Sequence, residues 1–355
     1  MSIRGRQYEI HRAPHHLRTS ANLGRANVRP GGIRAHYCAV LQSPLGEADC
    51  PVTSQGRQEA QVFMSKPKTP GLAARLSPSK RPVNNWVVIS DTHCGSRLGL
   101  LNKCGFTPDQ GGPVAPSRLQ AIIWEWWLEM WGEWVPTATK GEPFGIILNG
   151  DGVDGEPHGC TALISSNPAD QQKVALDVLK PLLDLCDGRF KWVRGTEAHV
   201  GKSGCSEESA AQALGALPGK DGEFARFELW QKVGAGLVHL LHHVGTTSSS
   251  AHEASAVNAE MTAEYVEASR WALRPPDVIV RSHRHRCIEV RLPSKWGFAT
   301  ATVTPGWQLK TPFSYKIAGG RIAPPQFGAI LIRQGDRQLF TEPWVKHITR
   351  DEPEN

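Results

Sequence analysis

At 355 residues, 40% of them hydrophobic, the chain can build one large or two ordinary domains around a sizeable core. It contains no run of about 18 apolar residues, and no apolar segment follows its N-terminal basic residues, which argues against a membrane span or secretory leader and for a cytoplasmic protein. The net charge of +6 is unevenly spread: residues 1–85 hold 13 Lys and Arg against 4 Asp and Glu (+9), leaving 27 against 30 (−3) for the rest.

Residues 1–85, rich in Arg, Pro, Gly and Ser, lack a sustained period and read as a disordered basic extension, either an inert tail or an arm contacting nucleic acid. Met64 is an alternative natural start, and no ordered element positions His11, His15, His16 or His36 as ligands. From Trp86 short apolar runs alternate with helical stretches: WVVIS (86–90), FGIIL (144–148), FKWV (190–193), LVHLL (237–241) and DVIV (277–280). Between the first two, Leu119, Ile122, Ile123, Trp126, Trp127, Met130, Trp131 and Trp134 recur at three-and-four spacing, which predicts an amphipathic helix. Its tryptophan stripe reads as core packing against a sheet before a platform for stacked bases.

A second helix is predicted from the Asn-Pro-Ala-Asp stretch at 167–170 to about Asp187, and a third over 255–272, stopping before Pro275 and Pro276. Residues 224–241 read as a hairpin about Gly234-Ala235-Gly236, and FATATV (298–303) and GAILI (328–332) as further strands. This alternation predicts an α/β domain over 86–340 with mixed β-sheets sandwiched by helices, and a tail at 341–355. The eight cysteines form no C-x-x-C pair and read as reduced thiols.

Each of the five apolar runs is followed by metal-ligand residue types. WVVIS leads into Asp91-Thr92-His93, FGIIL into Asn149-Gly150-Asp151 and Asp154, FKWV into Arg194-Gly195-Thr196-Glu197-Ala198-His199, LVHLL into His242-His243, and DVIV into His283-Arg284-His285. Strand ends in an open α/β sheet share one edge, where sequence-distant groups converge on a ligand. Carboxylates and imidazoles without thiolates suit Mn²⁺, Fe, Zn²⁺ or Ni²⁺. Two Asp and four or five His exceed the needs of one ion, so the spacing predicts two divalent ions about 3.5–4 Å apart, an arrangement used for displacement at phosphorus.

The ordered pattern D-x-H, G-D-x-x-D, G-N-H, H, G-H-x-H resembles the calcineurin-like metallophosphoesterase superfamily over roughly Trp86 to Ile332. The wording SDTHCGS, RGTEAHVGKSG and RSHRHR resembles its bacteriophage and prophage variants, which would place the protein in a host cytoplasm. The resemblance implies that Asp91, His93 and His285 hold one ion and Asp151 bridges both, with His283 and His242 serving the second. Mn²⁺ is the leading metal by this resemblance. His243 would then contact substrate or support a ligand, and Asp154 would be structural. His239, inside a strand, reads as packed.

Two departures stand out: Ser282 replaces Gly before His-x-His, and Thr196 stands where the family has a metal-ligating Asn. Either Glu197 ligates instead, or the second site is weaker, or water fills the gap. His199 is the expected general acid. Arg194, Lys202, Arg284 and Arg286 are candidate phosphate contacts, His158 a candidate substrate group, and Cys94 and Cys160 weaker candidates as ligands. The 245–253 loop, with His252, could help cover the site.

The mechanism implied is in-line attack on phosphorus by a metal-bound hydroxide, with nearby cations offsetting charge on the equatorial oxygens. The expected substrate is a phosphodiester of a nucleotide or nucleic acid. The body's charge of −3 speaks against gripping long DNA. The alternatives are a phosphomonoesterase on small phosphoesters, or a weakly catalytic metal-binding module that docks a partner.

Overall fold

The computed structural model describes residues 82–245, 249–317 and 323–348. The expectations for the N-terminal extension up to residue 81, Met64 included, and for the tail beyond 348 lie outside these residues.

The five apolar runs form strands close to their expected bounds: β1 (Asn85–Ile89), β2 (Phe144–Asn149), β3 (Phe190–Val193), β6 (Gly236–Leu240) and β7 (Val278–Arg281). β1 and β2 are buried at every position, as befits strands covered on both faces. The remaining strands are β4 (Ala225–Arg226), β5 (Leu229–Val233), β8 (Ile288–Ser294), β9 (Gly297–Val303), β10 (Gln326–Gln334) and β11 (Leu339–His347). The first sheet runs β11-β10-β1-β2-β3-β4 and the second β5-β6-β7-β9-β8. β1 to β4 are mutually parallel, with β10 and β11 antiparallel at one side. In the second sheet β6, β7 and β9 are parallel, flanked by antiparallel β5 and β8. The β5–β6 hairpin turns where Gly234 was expected to place it.

The period-two alternation of side chains divides the core into layers. Trp86, Val88 and Ile147 point between the sheets, meeting Val238, Leu240, Val278 and Val280 from the second. Val87, Ile89, Ile146 and Leu148 point the other way, against helices α1 (Arg118–Glu129), α2 (Pro168–Leu185) and α4 (Cys205–Leu214). The second sheet's outer face packs Ile279, Ala301 and Val303 against Val257 and Met261 of α5 (Glu253–Arg270). The result is the expected α/β architecture, two mixed sheets enclosed by helices.

α1 starts on a Ser117–Gln120 capping box and passes through a π turn, Met130–Trp134, into a last turn at Val135–Ala138. Trp127 and Trp131 are fully buried, 5.5 Å apart edge-to-face, with Trp127 meeting Trp307 at 4.8 Å. The stripe is core. α2 is capped by Asn167, whose side chain accepts from the Ala169 amide.

β8 and β11 were not foreseen. Both are edge strands made mostly of exposed and partly buried positions, so they lack the continuous apolar run that marks central strands. β11 also contains Pro343, tolerated because one side of an edge strand has no ladder to complete. The expected domain boundary at 340 falls inside this strand. Among the described residues no helix is long and apolar enough to cross a membrane.

Candidate metal centre

The carboxyl ends of β1, β2, β3, β6 and β7 converge across the two sheets. The turns after β1 and β2 run side by side, tied by amide-to-carbonyl bonds from Asp91 to Gly150 (2.9 Å), His93 to Asp151 (2.9 Å) and Cys94 to Gly152 (3.0 Å). The Ser282 amide donates to the His242 carbonyl (2.8 Å), joining the turns after β6 and β7. Asp91, His93, Asp151, His283 and His285 all have positive φ, between 44° and 71°. For non-glycine residues this costs on the order of 1–3 kcal/mol each, held by the surrounding packing. At Gly195 a Cβ would come within 2.1 Å of Asp151 Oδ1, so only glycine lets the third strand end approach that carboxylate.

Three groups of ligand atoms, each within 4.8 Å of one another, occupy this junction: Asp91, His93 and His285; His93, Asp151 and His199; Asp151, His242 and His283. His93 and Asp151 belong to two groups each, so the clusters are contiguous. Asp91 Oδ1 is buried without a hydrogen-bond partner. The Nε2 atoms of His285, His93 and His242 face it at 3.1, 3.9 and 4.0 Å. His93 and His285 also bring their Nε2 atoms within 3.2 Å of each other. A buried carboxylate oxygen ringed by imidazole nitrogens matches the donor set of a divalent cation.

Supporting bonds fix which nitrogen each ring presents. His242 Nδ1 donates to the Asn149 carbonyl (2.7 Å), aiming Nε2 at Asp151 Oδ2 (3.0 Å). His93 Nδ1 donates to Asp154 Oδ1 (2.9 Å), leaving Nε2 toward Asp91. Asp154 thus orients the His93 ring and is not in any of the three groups. His243 lies exposed at the rim, its ring 5.1 Å from that of His242 and 5.2 Å from that of His283. Of the histidine pair, His242 faces the carboxylates.

The electrostatics follow. Burial opposes the charge on Asp91, but the rings of His285 and His242 outweigh it and hold its carboxyl well below the usual carboxylate range. Asp151 is held down in the same way, against burial, chiefly by His242. Burial likewise opposes a charge on His242, yet Asp151 raises it to about 10; burial also works against His199, which its bond to Asp154 and the charge of Asp151 raise to about 9. The buried carboxylates thus favour the charged form of the imidazoles that face them.

Thr196 reaches the third group, Asp151, His242 and His283. Its amide donates to Asp151 Oδ1 (2.7 Å), its hydroxyl to Asp151 Oδ2 (3.2 Å), and that hydroxyl oxygen lies 3.0 Å from His283 Nδ1. Glu197 does not: as the first residue of the short helix α3 (Glu197–Val200) it is exposed and falls in none of the groups. The helix that Thr196 opens turns it outward. His199, two residues further, comes back into the site, its Nδ1 donating to the Asp154 carbonyl (2.8 Å) and its ring edge against His93 (4.6 Å).

Of the expected phosphate contacts, Arg194 is turned away from the site. Arg194 is 8% exposed, donates to the Ala225 and Ser203 carbonyls (2.7 and 2.8 Å), pairs with Glu208 (3.3 Å) and lies over Phe227, so its guanidinium is occupied in the protein interior. Arg284 and Arg286 reach the Glu253 carbonyl (3.4 Å) and carboxylate (3.3 Å) at the start of α5. His158 sits on a single 3-10 turn, Pro157–Gly159, in the loop after Asp154. Cys94 is buried, its thiol pushed up to about 12 by burial, and neither it nor Cys160 joins a ligand group. His239 is packed inside its strand between Glu228 (2.8 Å) and Glu264 (2.7 Å).

Several residues were not foreseen. Gln308 Nε2 donates to Asp154 Oδ1 (2.9 Å). Beneath the ligands runs a hydroxyl chain: Ser90 bonds Asp91, Ser90 and Ser282 each meet Thr304 Oγ1 at 2.6 Å, and Asn149 Nδ2 donates to Ser282 Oγ (2.7 Å). Ser282 therefore brings a hydroxyl that glycine could not supply. The buried Glu207 accepts from the amides of Gly152 (2.7 Å) and Gly195 (2.6 Å); burial, then Asp151, push its carboxyl up to about 7. Only the serine and asparagine next to the motifs were within reach of sequence reading.

No family model matches the chain, and no curated protein matches it. Among solved structures it is similar to a conserved protein from Streptococcus pneumoniae TIGR4 described as a predicted phosphoesterase, with 10% identity, 74% of this chain and 98% of that one covered, and a TM-score of 0.28. Vacuolar Protein Sorting 29 from Cryptosporidium parvum is similar at 10% identity over 76% of this chain and all of that one, TM-score 0.30. A metallophosphoesterase from Sphaerobacter thermophilus is similar at 10% over 75% and 89%, TM-score 0.30. At such values the function must be argued from the site's own residues.

Proposed function

We propose that this chain is a metal-dependent phosphoesterase of the calcineurin-like metallophosphoesterase type, of the variant found in phages, hydrolysing phosphodiesters of nucleotides or nucleic acid. The reading rests on one observation above all: Asp91 Oδ1, fully buried, is ringed by the Nε2 atoms of His285, His93 and His242. Asp91, His93 and His285 would hold one divalent ion, His242 and His283 the other, and Asp151, shared by two ligand groups, would lie between them. Mn²⁺ is the favoured metal, with Fe, Zn²⁺ or Ni²⁺ compatible with the same donors. Ions bound there would activate water and neutralise charge gathering on the phosphoryl oxygens.

The chain's own residues supply the rest. Asp154 and the Asn149 carbonyl fix the tautomers of His93 and His242, presenting Nε2 of each ring. His199 is held by Nδ1 on the Asp154 carbonyl and is favoured in its charged form beside Asp154 and Asp151, so it would carry a second proton on Nε2 to give to the leaving oxygen. With Arg194 sequestered, cationic help toward substrate falls to His199.

Thr196 favours a second reading, weak catalysis on the same fold, because a hydroxyl is a poorer ligand than an amide oxygen. One experiment separates the two: rates on bis(p-nitrophenyl) phosphate and on p-nitrophenyl phosphate, measured across Mn²⁺, Zn²⁺, Ni²⁺ and Fe²⁺, with Asp151→Asn as control. Metal-dependent diester hydrolysis abolished by that substitution is the expected result. Metal-replete protein inert on both esters selects the second reading, and faster monoester turnover overturns the diester assignment.

A further inference from the structure

Glu207 lies in the first turn of α4, twelve residues after Gly195, in the stretch Cys205-Ser206-Glu207-Glu208. Acids in a first helical turn normally face solvent and favour the helix N-terminus. Glu208 is partly of that kind, accepting from the amides of Phe224 (2.9 Å) and Ala225 (2.8 Å) at the start of β4. Glu207 is fully buried instead, and its two oxygens go to different strand ends: Oε1 to the amide of Gly152, the residue after Asp151, and Oε2 to the amide of Gly195, the residue before Thr196.

A buried carboxylate is costly unless its oxygens are hydrogen-bonded. Here the compensating donors are the backbone of the two turns that carry Asp151 and Thr196. Those turns have almost no slack, since a Cβ on Gly195 would meet Asp151 and one on Gly150 would meet the His242 ring at 2.3 Å. Across the junction Thr196 then holds Asp151 by its amide and hydroxyl. Glu207 thus ties together the backbone of the two turns that carry Asp151 and Thr196.

We propose that Glu207 is a positioning residue of the metal centre, a buried clamp on the Gly152 and Gly195 turns that sets the geometry of the Asp151, His242 and His283 group. The inference rests on reading Asp151 as a metal ligand, and it adds a residue that lies outside every ligand motif.

The test compares wild type, Glu207→Gln and Glu208→Gln, each titrated with Mn²⁺ by calorimetry and unfolded in denaturant without metal. Glu207→Gln keeps the side chain's volume but turns an amide N–H₂ toward a backbone N–H. The expected result is a loss of about 10- to 100-fold in the affinity of one of two Mn²⁺ equivalents, as for other residues that orient ligands. Glu208→Gln should lower stability and leave both affinities unchanged. A folded Glu207→Gln chain with wild-type affinities overturns the proposal, as do affinity losses in both variants that merely follow stability.

Should Glu207→Gln fail to fold, amide hydrogen exchange of the wild-type chain decides: Gly152 and Gly195 should be strongly protected, and exchange at free-loop rates overturns the clamp. A wild-type chain that binds none of Mn²⁺, Zn²⁺, Ni²⁺ and Fe²⁺ refutes the functional reading alone, and the same exchange measurement still reports on Glu207.

Discussion

Removing the Asp154 carboxylate should damage both the metal-free fold and metal binding, by amounts that the structure allows to be worked out. One oxygen, Oδ1, accepts from His93 Nδ1 and Gln308 Nε2, both at 2.9 Å, in a site 1% exposed. Asp154→Ala leaves two buried donors without partners. At about 1–3 kcal/mol for each orphaned group, the loss is roughly 2–6 kcal/mol. Asp154→Asn can still present an oxygen to both donors but forfeits the charge, and a neutral hydrogen bond is about half as strong as a charge-assisted one, so roughly 1–2 kcal/mol is expected. In metal binding, His93 freed to rotate or change tautomer should cost about 10- to 100-fold in the affinity of the ion it shares with Asp91 and His285. Urea unfolding without metal and Mn²⁺ calorimetry read the two effects separately. An alanine variant as stable as wild type, or one binding both ions unchanged, would refute the assigned role of Asp154.

Three further outcomes follow from the geometry. Thr196→Ala should weaken the second ion by about 2- to 10-fold, the worth of one net hydrogen bond on Asp151, while Glu197→Ala should leave both ions in place; loss of an ion only in the Glu197 variant in Mn²⁺ titrations would put the ligand assignment at fault. Trp127→Ala should cost about 3–5 kcal/mol in urea unfolding, as for other large buried aromatics, and a variant of full stability would reopen the stacking-platform reading. In native protein at pH 8, iodoacetamide should label the exposed Cys205 and spare Cys94 and Cys186, whose thiols burial pushes up to about 12; modification of either, located by mass spectrometry, would contradict their placement.

The five strand ends were legible because each ligand follows its own apolar run, and the fold then has only to align strands for the groups to meet. What the sequence could not show was the destination of side chains whose chemistry suits two environments. Arg194 sits beside the motif and reads as a phosphate contact, yet its guanidinium turns into the interior toward Ala225 and Glu208. Glu197 carries the better ligand atom and Thr196 the poorer one, but the helical turn beginning at Thr196 decides which of them faces Asp151. Glu207 was hidden for a different reason, because a Ser-Glu-Glu stretch opening a helix carries the pattern of solvated acids and its burial arises only from tertiary packing. The edge strands β8 and β11 escaped for want of a buried period on both faces.

The central claim is that the junction of the two sheets holds two divalent ions. A crystal grown with Mn²⁺ and measured for anomalous scattering tests it most directly. The account predicts two peaks about 3.5–4 Å apart, one against Asp91, His93 and His285, the other against His242 and His283, with Asp151 between them. No peak there, or a single ion bound by other residues, would contradict it.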